Sequence, residues 1–206
     1  RRGQSHHAQI VCWVGWSGLE RGERNGAEAA FREYERLADR MIALEPDNLK
    51  WRMEAQYADA NLGIVLMDQR RFAEAARQFE QALATIEAVA AIDPRNDDYR
   101  KSVAESRAWL ADARLAEGRL DEAIEQRRRQ LRELGALMGA GNRDVEFRQK
   151  AIPAHQALGR LYAARGETDR AIAELRLAVD HAERVIPLEP TNTLWVEFGA
   201  PGRLPL

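Results

Sequence analysis

A four-residue motif returns at even spacing along this chain of 206 residues. Glu45-Pro46-Asp47-Asn48 is followed 48 positions later by Asp93-Pro94-Arg95-Asn96, and a further 96 positions later by Glu189-Pro190-Thr191-Asn192. At the position between them the sequence reads Gly141-Asn142-Arg143-Asp144. An aromatic residue stands three positions after each copy: Trp51, Tyr99, Phe147 and Trp195. Such a period indicates a repeat protein, in which each unit stacks on the next.

Each repeat is predicted to form two helices. In the second copy Asn48 is a natural N-cap, since its side chain can accept a backbone N–H of the first turn. Apolar residues then recur at helical spacing in two segments. Gln69-Arg70-Arg71 marks the turn between them, where the parallel copies have Gly118 and Gly166 as helix stops. Pro94 ends the second helix, because proline lacks the backbone N–H and disfavours helix at the residue before it.

Small residues fill two columns of the 48-residue alignment. One column holds Gly15, Gly63, Ala111 and Gly159, and the other holds Ala27, Ala75, Ala123 and Ala171. We predict that Gly63 and Ala75 lie where the two helices of a pair cross. Minimal side chains at a crossing let helix axes approach to about 8–10 Å.

The pattern Leu62-Gly63 with Leu66, Ala75, Phe79 and Ala82 resembles the tetratricopeptide repeat (TPR). The usual period of that family is about 34 residues. The chain is similar to the long-period variants found in bacterial multidomain signalling proteins, where the repeats sit beside effector domains. The resemblance implies an all-α fold: a right-handed superhelical solenoid of antiparallel helix pairs, with about four repeats.

The repeats are expected at about 1–44, 45–92, 93–140 and 141–188, within one repeat domain over residues 1–198. A partial capping helix over 189–198 and a flexible tail over 199–206 complete the expected organisation. The chain starts at Arg1 without a methionine. That start favours an excerpt of a larger protein or a processed product.

Several residues depart from the repeat pattern. Arg127 occupies the column of Phe31, Phe79 and Leu175, so its guanidinium either reaches solvent or pairs with a carboxylate, for which Asp112 is the candidate. Pro153 is expected to kink its helix or to make it start late. Gly139-Ala140-Gly141 predicts a looser third junction. Trp13 and Trp109 share one column, which favours a repeated packing role.

The sequence argues against catalysis, cofactors, nucleic acid and membranes. His6, His7, His155 and His181 lack metal-ligand spacing, and no phosphate-binding loop or nucleophile motif occurs. The 31 basic and 33 acidic residues give a net charge of −2, without general attraction for nucleic acid. The longest apolar run, residues 10–16, is far short of the roughly 20 residues that span a membrane. The single cysteine, Cys12, fits a reducing compartment, and we expect a cytoplasmic protein that is not an enzyme.

The resemblance also implies a groove for a partner. It places three columns of the first helices along the concave side: Cys12, Ala60, Ala108 and Gln156; Trp16, Ile64, Asp112 and Arg160; Leu19, Met67, Leu115 and Ala163. The groove is expected to be apolar in its N-terminal half and polar near Asp112 and Arg160. Grooves of this kind bind peptide segments or partner helices. Lysines and asparagines that clamp acidic chaperone tails in related grooves are missing from these columns.

We therefore expect a protein-interaction scaffold, adaptor or regulatory module that binds a partner peptide or helix, with Trp16, Ile64 and Met67 as apolar anchors. The alternative is a structural spacer or a self-association platform for a fused effector domain. Whether the chain forms a homo-oligomer stays open at this point.

Overall fold

The structure, a computed structural model, describes residues 2–138 and 144–186, with side chains from Ile10 onward. These residues form eight α-helices and no strand. The helices are α1 Arg2–Glu20, α2 Arg24–Leu44, α3 Leu49–Asp68, α4 Phe72–Ile92, α5 Asp97–Ala116, α6 Leu120–Leu137, α7 Asp144–Ala164 and α8 Thr168–Val185. The predicted all-α helical repeat class is confirmed. The expected capping helix, the tail and the Gly139-Ala140-Gly141 junction lie outside the described residues.

Asparagine side chains start two of the helices. The Asn48 Oδ1 accepts the backbone N–H of Lys50 at 3.1 Å, and the Asn96 Oδ1 accepts those of Asp98 and Tyr99 at 3.1 and 3.3 Å. Each bond satisfies an N–H that the first turn of a helix leaves without an intrahelical partner. The predicted N-cap at Asn48 is confirmed.

Left-handed residues end the first helix of each pair. Gly22, Gly118 and Gly166 have φ of 75°, 78° and 81°, and Arg70 has φ of 61°. After α5 the N–H of Gly118 bonds to the carbonyl of Leu115, and the following N–H bonds back to Arg114. Glycine takes this conformation without steric cost, which confirms the helix stops predicted at Gly118 and Gly166.

The chain divides into two compact units, Arg1–Arg119 and Leu120–Leu206. In the first unit each helix packs on its neighbours in the chain, and α3 also contacts α5. This contact and the hydrogen bond from Asn61 of α3 to Cys12 of α1 place α1, α3 and α5 in one layer, and α2 and α4 form the other. The largest fully buried side chains between these layers are apolar: Phe31, Leu62, Leu66, Phe79 and Ile86.

Glycines let the two layers approach closely. A Cβ added to Gly15 would lie 2.6 Å from the Phe31 ring, and one added to Gly63 would lie 2.5 Å from the Phe79 ring. Ala75 is fully buried in the same core. The predicted close approach at Gly63 is confirmed, with the Phe79 ring in the space that the glycine leaves, and the predicted place of Ala75 at the crossing stays a prediction.

In the second unit α7 packs on both α6 and α8. Its core contains Ile124, Leu158, Leu161 and Tyr162. Helix α7 continues through Pro153, so of the two expected outcomes the late start is wrong, and the kink stays a prediction. The ring of Pro153 faces solvent, where the hydrogen bond that proline removes from the helix is least costly.

Arg127 of α6 is buried rather than extended to solvent. Its Nη1 donates to the Oε1 of Gln130, one turn along the helix, at 2.9 Å. This bond supplies an acceptor for a guanidinium that stands in a column otherwise filled by Phe31, Phe79 and Leu175.

Candidate interaction face

The exposure pattern of α3 defines a stripe of accessible side chains. Tyr57 is 46% exposed, and Asn61, Ile64 and Met67 are half-buried. Steps of three or four residues place these four side chains on one side of the helix. The positions between them are covered by neighbouring helices: Ala58, Leu62 and Val65.

The other helices of this layer contribute apolar side chains at equivalent steps. Trp16 of α1 is 39% exposed, and Leu115 of α5 is 46% exposed. We give the name odd-helix face to six of the accessible residues of this layer: Trp16, Tyr57, Asn61, Ile64, Met67 and Leu115. Every one of these residues belongs to the first unit.

The predicted site residues divide between the two units. Cys12 and Leu19 are half-buried and pack against the core of the first unit, and Asp112 is exposed. Ala60 is only 1% exposed, so it offers almost no surface to a partner. Gln156, which is half-buried, and Arg160, which is exposed, lie on α7 in the second unit.

The tryptophans of α1 and α5, Trp13, Trp16 and Trp109, have different surroundings. Trp16 meets Phe31 edge to face, with ring centroids 5.9 Å apart. Trp109 is half-buried and stacks on Phe79 at 6.0 Å. Trp13 is 77% exposed, so the packing role expected for it is wrong. The difference arises because Trp109 lies over an even-numbered helix, whereas Trp13 has no described side chain covering it.

Polar side chains meet between α1, α2 and α3. The buried hydroxyl of Tyr34 donates to the Glu54 Oε2 at 2.5 Å, and the Asn61 Nδ2 donates to the Cys12 Sγ at 3.7 Å. Burial, and then the hydrogen bond to Glu54, raise the pKa of Tyr34 far above its ordinary value. Burial, and then the charge of Glu54, raise the pKa of the Cys12 thiol. Tyr34 therefore stays a donor and Cys12 stays protonated.

Sequence reasoning missed Tyr34, Glu54, Tyr57 and Asn61. The alignment hides Glu54, because its column holds His6, Ser102 and Lys150 in the other repeats. A usable signal was the spacing of Glu54, Tyr57 and Asn61, which places a carboxylate and an aromatic ring on the side of α3 that also carries Ile64.

The histidines of the second unit contact each other. The rings of His155 and His181 stack with centroids 5.3 Å apart, and the His155 Nδ1 lies 2.7 Å from the Glu174 Oε2. Nowhere in the described part of the chain do three His, Cys, Asp or Glu side chains form a group that could hold a metal ion. The described helices are also too short or too polar to cross a membrane.

Solved structures share this architecture. BtubC (BKLC) from P. vanneervenii matches with a TM-score of 0.65 at 18% identity, over 89% of this chain and 65% of BtubC. The apo form of RapI matches with a TM-score of 0.66 at 14% identity, over 93% of this chain and 67% of RapI. The Rap conjugation gene regulator of plasmid pLS20, in complex with the Phr* peptide, matches with a TM-score of 0.56 at 12% identity.

The pLS20 match covers 94% of this chain and 52% of the regulator. This chain thus spans between half and two thirds of the length of these proteins. Neither a protein-family model nor a curated protein matches the sequence. The likeness at these identities is one of fold, and the fold is that of a TPR-like helical repeat protein.

Proposed function

We propose that this chain is a protein-interaction scaffold and that the odd-helix face binds a peptide or helix of a partner protein. The observation that carries the proposal is the stripe of aromatic and apolar side chains on α1, α3 and α5 that stay partly accessible, although Ile64 and Met67 also pack against the core. The scaffold has no catalytic role in this proposal.

The side chains of the face suit the role of binding anchors. Tryptophan and tyrosine supply large contact areas and dominate the energetics of many interfaces. Trp16 is held against Phe31, so it loses little conformational freedom when a partner covers it. The structure of the pLS20 regulator with the Phr* peptide supports a peptide as the occupant of a fold of this kind.

A pair of double variants tests the proposal. Peptides are first selected on the immobilised chain from a displayed random library, and their affinities are measured by fluorescence anisotropy. Trp16→Ala with Met67→Glu should weaken them by about tenfold or more, the effect of losing interface anchors. Leu44→Ala with Ile92→Glu is the matched control, because both residues are exposed at the ends of α2 and α4. Equal losses in the two variants, or no loss in either, would contradict the proposal.

Self-association is the second candidate, and α1 favours it. Ile10, Trp13 and Val14 are each more than half exposed, whereas Ala58 and Leu62, which stand 48 positions after Ile10 and Val14, are buried in α3. No charged residue occurs over residues 10–19, so two such faces can meet without repulsion. Light scattering decides: a dimer that Val14→Glu dissociates supports this candidate, and a monomer at all concentrations rejects it.

We further propose that the scaffold works beside an effector domain in a larger cytoplasmic signalling protein. The resemblance to long-period repeats and the greater length of the solved neighbours support this context. An antibody raised against this chain should capture a native protein heavier than 23.3 kDa from its source. Capture of a native protein of 23.3 kDa would reject the larger context.

A further inference from the structure

We propose that the partner segment carries a basic side chain, which Glu54 binds beside the ring of Tyr57. This inference rests on the proposed function, because it gives the chemistry of the segment that the odd-helix face takes up. Glu54 lies one helical turn before Tyr57 on α3, so the two side chains project on the same side of the helix.

Glu54 is a carboxylate held in place by a buried hydroxyl. Tyr34 is 3% exposed, and its hydroxyl donates to the Glu54 Oε2 at 2.5 Å. An ionised carboxylate has about four acceptor sites, and the tyrosine occupies one of them. Among the side chains that the structure describes, no lysine or arginine forms a salt bridge with Glu54. The half-buried carboxylate therefore keeps acceptor capacity for a cation from outside.

Other carboxylates of the first unit have arginine partners. Glu28 pairs with Arg32 and Arg71, both at 2.8 Å, and Asp68 pairs with Arg24 at 2.5 Å. In the Glu28–Arg71 and Asp68–Arg24 pairs, a guanidinium group from another part of the chain balances the charge of the carboxylate. Glu54 has a neutral donor instead, which orients its charge without cancelling it.

The surroundings of Glu54 add a second attraction for a cation. The ring of Tyr57, which is 46% exposed, is accessible one turn away on the same side of α3. An ammonium or guanidinium group over an aromatic ring is attracted to the negative face of the ring. A carboxylate next to an accessible ring selects a lysine or arginine over a neutral or acidic residue.

The length of α3 sets the spacing of the partner motif. Glu54 and Ile64 are ten positions apart on the helix, a rise of about 15 Å. An extended peptide covers that distance in about four or five residues. We therefore expect the partner to carry its basic residue about four or five positions from a large apolar residue, which packs on Ile64 and Met67.

Parallel peptide selections test this inference. Displayed random peptides are selected on the wild-type chain, on Glu54→Gln and on Glu33→Gln. Glu33→Gln is the matched control: it removes one negative charge from α2, where Glu33 pairs with Arg36 at 3.0 Å. Wild type and the control should enrich a lysine or arginine at the expected distance from an apolar residue. Glu54→Gln should enrich the apolar residue alone.

Affinities measured with the selected basic peptides provide the second readout. Glu54→Gln should weaken them by about tenfold or more, as loss of a charge-assisted hydrogen bond does. Tyr34→Phe keeps the ring and removes the hydroxyl that orients Glu54, so it should give a smaller loss. The difference in peptide affinity between wild type and Glu54→Gln should become smaller as the salt concentration rises.

The outcomes separate this inference from the proposed function. Peptides that depend on Trp16 and Met67 but show no excess of basic residues over the Glu54→Gln selection would overturn the basic partner and leave the interaction face standing. A failure to select any peptide sensitive to Trp16→Ala with Met67→Glu would reject both. Basic peptides that bind more weakly to Glu54→Gln, but not to the control Glu33→Gln, would support both, provided that both variants stay folded.

Discussion

Arg70 stands where three equivalent turns use glycine. It has φ of 61°, and Gly22, Gly118 and Gly166 occupy the same position at steps of 48 residues. An L-residue other than glycine pays roughly 1–2 kcal/mol for the left-handed conformation, because its Cβ approaches the following carbonyl oxygen. The turn after α3 is therefore less stable than its counterparts after α1, α5 and α7.

Replacement of Arg70 by glycine should stabilise the first unit. We expect Arg70→Gly to raise the free energy of unfolding by about 1 kcal/mol, after the extra flexibility of glycine in the unfolded chain is subtracted. Urea unfolding followed by tryptophan fluorescence measures it, since four of the five tryptophans lie in this unit. Arg77→Gly, at an exposed interior position of α4, is the control and should cost about 1 kcal/mol. A loss of stability in both variants would contradict the argument.

Asp59 is a buried acid among acids. It lies on α3 beside Glu35 and Asp39 of α2, and it forms a hydrogen bond with Glu35. Burial, and then the charges of Glu35 and Asp39, raise the pKa of Asp59 to about 7. The ordinary value is 3.8, so the folded state holds this proton more tightly than the unfolded state does.

The stability of the first unit should consequently fall with rising pH. The contribution of the Asp59 proton is complete below about pH 4 and is lost as the pH rises through about 7. Asp59→Asn removes the ionisation, and at about pH 8 it should raise the free energy of unfolding by roughly 2–4 kcal/mol. Urea titrations of wild type and variant at about pH 5 and 8 measure both effects. A variant that keeps the wild-type pH slope would disprove the assignment to Asp59.

At the scale of elements, helix pairs depend on the contact between a glycine and a phenylalanine. A Cβ on Gly63 would overlap the Phe79 ring at 2.5 Å, whereas a Cβ on Gly26 of α2 would meet nothing within 4 Å. We expect Gly63→Ala to lower the free energy of unfolding by about 1–3 kcal/mol through overpacking. Gly26→Ala should raise it by up to about 1 kcal/mol. Thermal melts followed by circular dichroism compare the melting temperatures of the two variants. Equal shifts of the melting temperature would show that helix propensity, not packing, determines the effect of an alanine at Gly63.

The helices were predictable because caps and helix stops depend on local chemistry. The contacts between helices were not predictable in the same way. Asn48 caps and Gly118 ends a helix through interactions within one turn, so the sequence contains the whole cause. The late start expected at Pro153 was wrong because the cost of a proline in a helix depends on its exposure, which the neighbouring helices determine. The odd-helix face was partly predictable, since Trp16 and Ile64 share one column of the 48-residue alignment that the TPR resemblance assigns to a groove. The spacing on α3 predicts that Glu54 lies on the same side as Tyr57, but the hydrogen bond that orients Glu54 was not predictable, because Tyr34 comes from another helix.

At the scale of the whole molecule, each of the two units contains a titrating group, and the two groups change the stability of their units in opposite directions as the pH falls. In the second unit His181 stacks on His155, and the Arg148 Nη1 lies 3.4 Å from the His181 Nδ1. Burial, then electrostatic interaction with His155, and then the charges of Arg148 and Arg184 lower the pKa of His181 against the weaker opposing effect of Asp180. The neutral form of His181 therefore stabilises the pairing of α7 with α8 at pH values above 6.5, the ordinary pKa of the group. This stability is lost as the pH falls below 6.5.

Acidification should then stabilise one unit and destabilise the other. As the pH falls below about 7.5, Asp59 takes up a proton that the fold of the first unit favours, whereas the fold of the second unit opposes the protonation of His181. Hydrogen exchange, corrected for its intrinsic pH dependence, should slow in peptides from α2 and α3 and quicken in peptides from α7 and α8. His181→Phe keeps an aromatic ring against His155 and removes the charge change, so it should abolish the acid response of the second unit alone. A change of the exchange rate in the same direction in both units would show that net charge, rather than Asp59 and His181, governs the response of the chain to pH.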